Sequence, residues 1–298
     1  MADHGFKRKK REQLHEKKQE SEEQPDVDEN SPVIQSFRQY RKELDYKHDK
    51  YERLVKLSRD VTIESKRTIF LLQRLAGKEV NKAGILEDAL KKLKEIQTDK
   101  FKKIAQELHG EEPFQYTRAY SPGMQEYIEA VSFYKYNRDE TLVSMDEVQA
   151  DLVFTETVKM QDMDVEEEDN QETAQDTITY TAFVAPMDYM LGIADLTGEL
   201  MRSAINCVGN GDLDKPFQLC CFMRQIHDAF LSFGDMSRAL PRKMNVLRQS
   251  LQKVETACYT LKVRGSEFPK HMLADIMRNL QAKQTFHSDE LEYNNVDD

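Results

Sequence analysis

Tryptophan is absent from this chain, and glycine (11) and proline (8) are scarce among its 298 residues. So few breakers, with no recurring alternation of apolar and polar residues, argue against a turn-rich β fold. They predict an all-α protein with long helices. The four cysteines, Cys207, Cys220, Cys221 and Cys258, form no CxxC, and no histidine stands at ligand spacing from them. A zinc site or disulfide framework is therefore not expected, and buried reduced thiols predict a cytosolic or nuclear setting. No signal-type apolar segment and no apolar run of about 18 residues occurs, so a soluble chain without membrane contact is expected.

Net positive charge is lacking too, since the chain carries −11. The distribution matters more than the sum. Residues 161–176 hold eight acids and no base, and Asp289 to Asp298 hold five more acids and no base. Without those thirteen the chain is close to neutral, so charge neither supports nor excludes a nucleic-acid partner.

Against this background four carboxylates stand out. Glu126 and Glu129 lie in MQEYIEAVSFY, and Asp195 and Glu199 in YMLGIADLTGELM. Both stretches have helical spacing and are otherwise apolar. Glu126 and Glu129, three apart, share a face with Ala130 and Phe133. Asp188, Asp195, Glu199 and Arg202 form one polar stripe on a helix apolar on its other sides, the pattern of a buried helix. Ionised carboxylates in such a setting need a positive partner. One is a hard divalent cation such as Mg²⁺ or Mn²⁺, held by oxygen ligands and suited to phosphodiester hydrolysis. The other is basic side chains, with Arg202 and Arg224 as candidates. No convincing serine, cysteine or histidine nucleophile is present; His109, His227 and His271 are isolated.

The rest of the chain reads as helices and two polar tails. Residues 1–31, with the basic run Lys7 to Arg11, are expected to be a disordered tail; the run is either a nuclear address or simply solvated. Ser31-Pro32 opens a helix that runs uninterrupted to about Leu75, roughly 65 Å long and thus expected to pack against partner subunits. Its basic residues Arg53, Lys56, Arg59, Lys66 and Arg67 read as a solvated face or as phosphate contacts. Further helices are expected over Lys82–His109, Met124–Arg138, Asp188–Gly209, Pro216–Gly234 and Pro241–Arg264. A short helix follows Ser144, which with Glu147 forms a capping box, and another starts near Pro269. Residues 155–182 are expected to be an acidic loop insert, and 277–298 an acidic tail.

The blocks HDKYERLVKLSRDVTIESKRTIFLLQR (48–74), MQEYIEAVSF (124–133), DYMLGIADLTGELMR (188–202), VGNGD (208–212) and ACYTLKVRGSEFPKHMLAD (257–275) resemble the translin family over about residues 32–276. The last block resembles the translin-associated branch rather than translin itself. The resemblance implies a bundle of about seven long helices that joins translin in a closed, barrel-like hetero-oligomer. It also implies a Mg²⁺-dependent endoribonuclease, preferring single strands, that promotes RNA silencing by degrading the nicked passenger strand of siRNA. The family's acidic cluster falls on Glu126, Glu129 and Asp195 as metal ligands, with Glu199 as a fourth catalytic acid. Cytoplasmic and nuclear localisation is expected. The rival readings are a non-catalytic adaptor that stabilises and localises translin, and, more weakly, a subunit that binds single-stranded DNA.

Overall fold

A computed structural model describes residues 31–77, 80–112, 114–158, 176–212, 214–233 and 239–264. The expected tails, the helix near Pro269 and His271 lie outside these residues. Seven helices and one hairpin are described: α1 Pro32–Gln73, α2, α3 Thr117–Asp139, α4 Met145–Asp151, β1 Val153–Val158, β2 Asp176–Thr181, α5 Pro186–Gly209, α6 Lys215–Leu231 and α7 Ala239–Arg264. Helix α2 is composite, with α-helical Lys82–Glu95 and Lys102–Glu107 joined through a π-helical turn, Ile96–Phe101. The all-α expectation holds, and Gly110, at φ 78°, follows α2 in the left-handed conformation that glycine adopts without strain.

Two compact units divide the chain at Lys50 and Tyr51. In the first, the described residues are the opening turns of α1. They expose Val33, Phe37, Tyr40, Leu44 and Tyr46.

The second unit holds the core. Helix α5 packs on α3, α6 and α7, and α7 also packs on α6. The buried face of α5 includes Leu191, Ile193, Ala194, Leu196, Leu200 and Ala204, as its apolar sequence predicts. Opposite it α3 buries Met124, Tyr127, Ile128 and Phe133. Burying such side chains stabilises by about 1.5–3 kcal/mol each, so the α3–α5 interface is the backbone of the unit.

Helix α3 begins at Thr117, upstream of Met124, and runs through Pro122. Proline has no N–H and disturbs the helical ladder. Ser58 of α1 braces the turn around it: its hydroxyl donates to the Tyr120 carbonyl at 3.3 Å and accepts from the Gly123 N–H at 3.0 Å. Glycine is required there, because a Cβ on Gly123 would lie 2.6 Å from the Ser58 carbonyl oxygen.

The 155–182 segment differs from expectation at its ends, which pair as an antiparallel hairpin with Val153 opposite Thr181 and Thr157 opposite Thr177. The reason lies in VFTETV and DTITYT, which are rich in β-branched residues and short enough to escape a search for recurring alternation. Residues 159–175 between the strands are not described.

Candidate functional site

The packing of α3 on α5 brings the two acid pairs together. Gly192 permits the close approach: a Cβ there would lie 2.8 Å from the Gln125 carbonyl oxygen and 2.8 Å from Ile128 Cγ2. Gly192 stands one turn before Asp195, and Gln125 and Ile128 immediately precede Glu126 and Glu129 in the chain. The crossing point of the helices is therefore also the centre of the acidic site.

Glu129 is the most telling member. It is 8 % exposed, and among the described residues it forms no hydrogen bond or ion pair. Burial pushes its carboxyl up to about 8, helped by the charges of Glu126, Asp195 and Glu199 and opposed by Lys243. The other three carboxylates named from sequence thus all bear on Glu129.

The other three have partners. Lys66 Nζ of α1 lies 3.1 Å from Glu126 Oε1. Lys243 Nζ of α7 bonds both oxygens of Asp195, the longer contact being 2.7 Å. Gln73 Nε2 donates to Glu199 Oε2 at 2.7 Å and to the Glu199 carbonyl at 2.9 Å, while Arg202 Nη2 is 3.5 Å from Glu199 Oε1. Asp188, although on the same stripe of α5, takes another role. It accepts from Ser121 Oγ at 2.5 Å and Gln125 Nε2 at 2.8 Å, tying α5 to α3.

Of the two basic partners considered from sequence, Arg202 does approach Glu199. Arg224 pairs instead with Glu255 at 2.7 Å. Sequence reasoning missed Gln73 and Lys243. Lys243 sits in a polar stretch at the start of α7, and nothing in its spacing links it to Asp195.

Among the described residues no three acids, histidines or cysteines are arranged to hold a metal ion. The donor chemistry nevertheless fits a hard divalent cation: four carboxylates, one buried with no donor facing it, and two others neutralised only by lysines. Glu126, Glu129 and Asp195 are the residues that would hold such a cation.

Lys243 therefore has a measurable part. Lys243→Met leaves Asp195 next to Glu129 without a cation. Both partners are about a third exposed, so solvent screening limits the cost to about 1 kcal/mol. The expected outcome is a lower thermal midpoint in EDTA and tighter Mn²⁺ binding by electron paramagnetic resonance. Unchanged values in both would show that Lys243 does not balance the cluster.

The translin family model matches residues 49–265. The chain belongs to the translin family. It is 48 % identical over 280 residues to translin-associated protein X of Pongo abelii, with 91 % of this chain and 92 % of that protein aligned. A fission-yeast relative, the translin-associated protein X homolog of Schizosaccharomyces pombe, is 25 % identical over 244 residues, covering 78 % of this chain and 90 % of that one. Among solved structures, the AfC3PO–duplex RNA complex matches at TM-score 0.53 and 22 % identity, over 78 % of this chain and all of that one. Apo-NeC3PO matches at TM-score 0.53 and 17 % identity, over 74 % of this chain and 94 % of that one. These two likenesses concern the fold, and they agree with the translin-type helical architecture found here.

Proposed function

We propose that this chain is the catalytic subunit of a divalent-metal-dependent endoribonuclease formed with translin, acting on single-stranded RNA. The observation that carries the reading is Glu129: a buried carboxylate among three others, with no donor of its own. A structural acid in that position would be expected to face a base or an amide. Two features support the partnership. The relatives aligned over most of the chain are named for their association with translin, and the opening turns of α1 expose a row of large apolar side chains suited to a helical partner. The fold likeness to a C3PO complex containing duplex RNA supports RNA as the ligand.

In this reading Glu126, Glu129 and Asp195 hold Mg²⁺, or Mn²⁺ in its place. Glu199, braced by Gln73, orients a water at the site. Lys66 and Lys243 leave their carboxylates and face phosphate oxygens. The bound cation supplies an activated water and offsets charge developing on the phosphate. The nicked passenger strand of siRNA is the proposed physiological substrate, with action in both cytoplasm and nucleus.

The test is to assemble the chain with translin, add Mg²⁺ and follow cleavage of a labelled single-stranded RNA, beside a Glu126→Ala/Glu129→Ala complex and an EDTA control. Cleavage should be lost in both controls while assembly and RNA binding persist. Equal cutting by the substituted complex would leave the acids a structural role and favour the adaptor. A DNA oligonucleotide that competes as well as RNA would support the DNA-binding reading.

A further inference from the structure

On α1, residues 66, 70 and 73 follow one another at four and three residues, so they lie on one side of the helix. Lys66 contacts Glu126 and Gln73 contacts Glu199. Phe70 therefore occupies the turn between the two points where α1 touches the acidic site.

Its ring is not part of the core. Ile69 and Leu72 on either side are 6 % and 0 % exposed, whereas Phe70 is 74 % exposed, the highest value for any large apolar side chain among the described residues. Ile63, one further step of seven along the same side, is also exposed. Together Ile63 and Phe70 form a small apolar strip that a ligand with an apolar face can cover.

The surroundings specify which. Arg59, Lys66, Arg67 and Arg74 accompany Ile63 and Phe70 on this side, and over Ile63 to Arg74 the one acid is Glu64, which bonds Arg67 at 2.6 Å. Arg59 and Arg74 form no ion pair among the described residues. Cations spaced along a helix with an aromatic ring between them match a strand that carries phosphates on one edge and flat bases on the other. A protein partner covering the same strip would have to desolvate Arg59 and Arg74, which no acid among the described residues pairs with.

We propose that Phe70 is a stacking platform for an unpaired nucleobase of the RNA, flanking the phosphate presented to the acidic cluster. The inference rests on the endoribonuclease reading and adds a source of single-strand preference. A base inside a duplex is stacked on its neighbours and offers no free face to Phe70, while an unpaired base does. Arg74 and Arg59 hold the phosphates on either side of it.

The experiment uses the full chain assembled with translin, in three forms: unaltered, Phe70→Ala and Phe70→Trp. Binding of a short oligouridine is measured in EDTA, and cleavage is followed with Mg²⁺. Phe70→Ala should weaken single-strand binding roughly tenfold, within the range of about five- to a hundredfold for loss of one stacked base. KM should rise by a similar factor with kcat little changed, and duplex binding should stay as it was. Phe70→Trp places the one tryptophan of this chain at the platform. Its emission, taken as the difference from the unaltered complex, should be quenched by the oligonucleotide, with cleavage retained. Equal affinity of the alanine form, or an indole blind to RNA, overturns the platform while leaving the nuclease reading intact. Loss of assembly in Phe70→Ala overturns it in favour of a protein partner on this strip. An unaltered complex that neither binds nor cuts single-stranded RNA overturns the underlying reading.

Discussion

Glu129→Gln in the complex with translin should lower RNA cleavage by about 10²- to 10³-fold and, at the same time, stabilise the metal-free assembly at alkaline pH. The two effects have one cause. Glu129 is buried beside three carboxylates, and its carboxyl is pushed from about 4.5 up to about 8. Between those values the unfolded chain has released the proton and the folded chain retains it. Folding stability contributed by this group is therefore whole below about pH 4.5 and falls as pH rises, by about 1.4 kcal/mol per unit, until it levels off above about pH 8. The full loss is roughly 5 kcal/mol. Glutamine has no charge to bury, and an amide without a partner costs about 1–3 kcal/mol. A net advantage of about 2–3 kcal/mol is expected for Glu129→Gln at pH 8 in EDTA, shrinking and then reversing towards pH 5. Denaturation midpoints of the two complexes across that range measure it, because titrating groups remote from the cluster contribute equally to both. Parallel pH profiles would mean that Glu129 is compensated within the assembly, and the argument for its metal-ligand role would fall with it.

Much of this site was legible in the sequence because its cause is local. An acid in an apolar helix is visible without coordinates, and Glu126, Glu129, Asp195 and Glu199 were found in that way. One helix start was equally plain: Ser144 accepts from the Glu147 N–H at 3.2 Å while Glu147 accepts from the Ser144 N–H at 2.7 Å, the reciprocal cap its spacing predicts. What sequence missed depends on contacts between distant segments. Lys243 meets Asp195 across 48 residues and Gln73 meets Glu199 across 126, and neither has a local signature. The turn of helix α3 that carries Pro122 is bonded by Ser58, far away in the chain. The hairpin escaped notice for a different reason, since each strand has only six residues and the two are separated in the chain.

Gly192→Ala should destabilise the assembly by about 1–3 kcal/mol and weaken Mn²⁺ binding, although alanine is the better helix former. Propensity alone favours alanine over glycine by about 1 kcal/mol inside a helix. At Gly192 the added methyl would stand 2.8 Å from a backbone carbonyl and 2.8 to 2.9 Å from the branched side chain of Ile128, so α5 must move off α3, and overpacking of this kind costs more than propensity returns. The control is in the same helix. A Cβ on Gly198 meets nothing within 4 Å, and Gly198→Ala should be neutral or raise stability by up to about 1 kcal/mol. The opposite signs separate helix propensity from helix approach. Because Asp195 lies one turn beyond Gly192, the displacement also draws it away from Glu126 and Glu129, and metal affinity should fall with stability in Gly192→Ala but not in Gly198→Ala. If both substitutions stabilise, the helices do not meet as closely as described, and the four carboxylates lose the crossing that unites them.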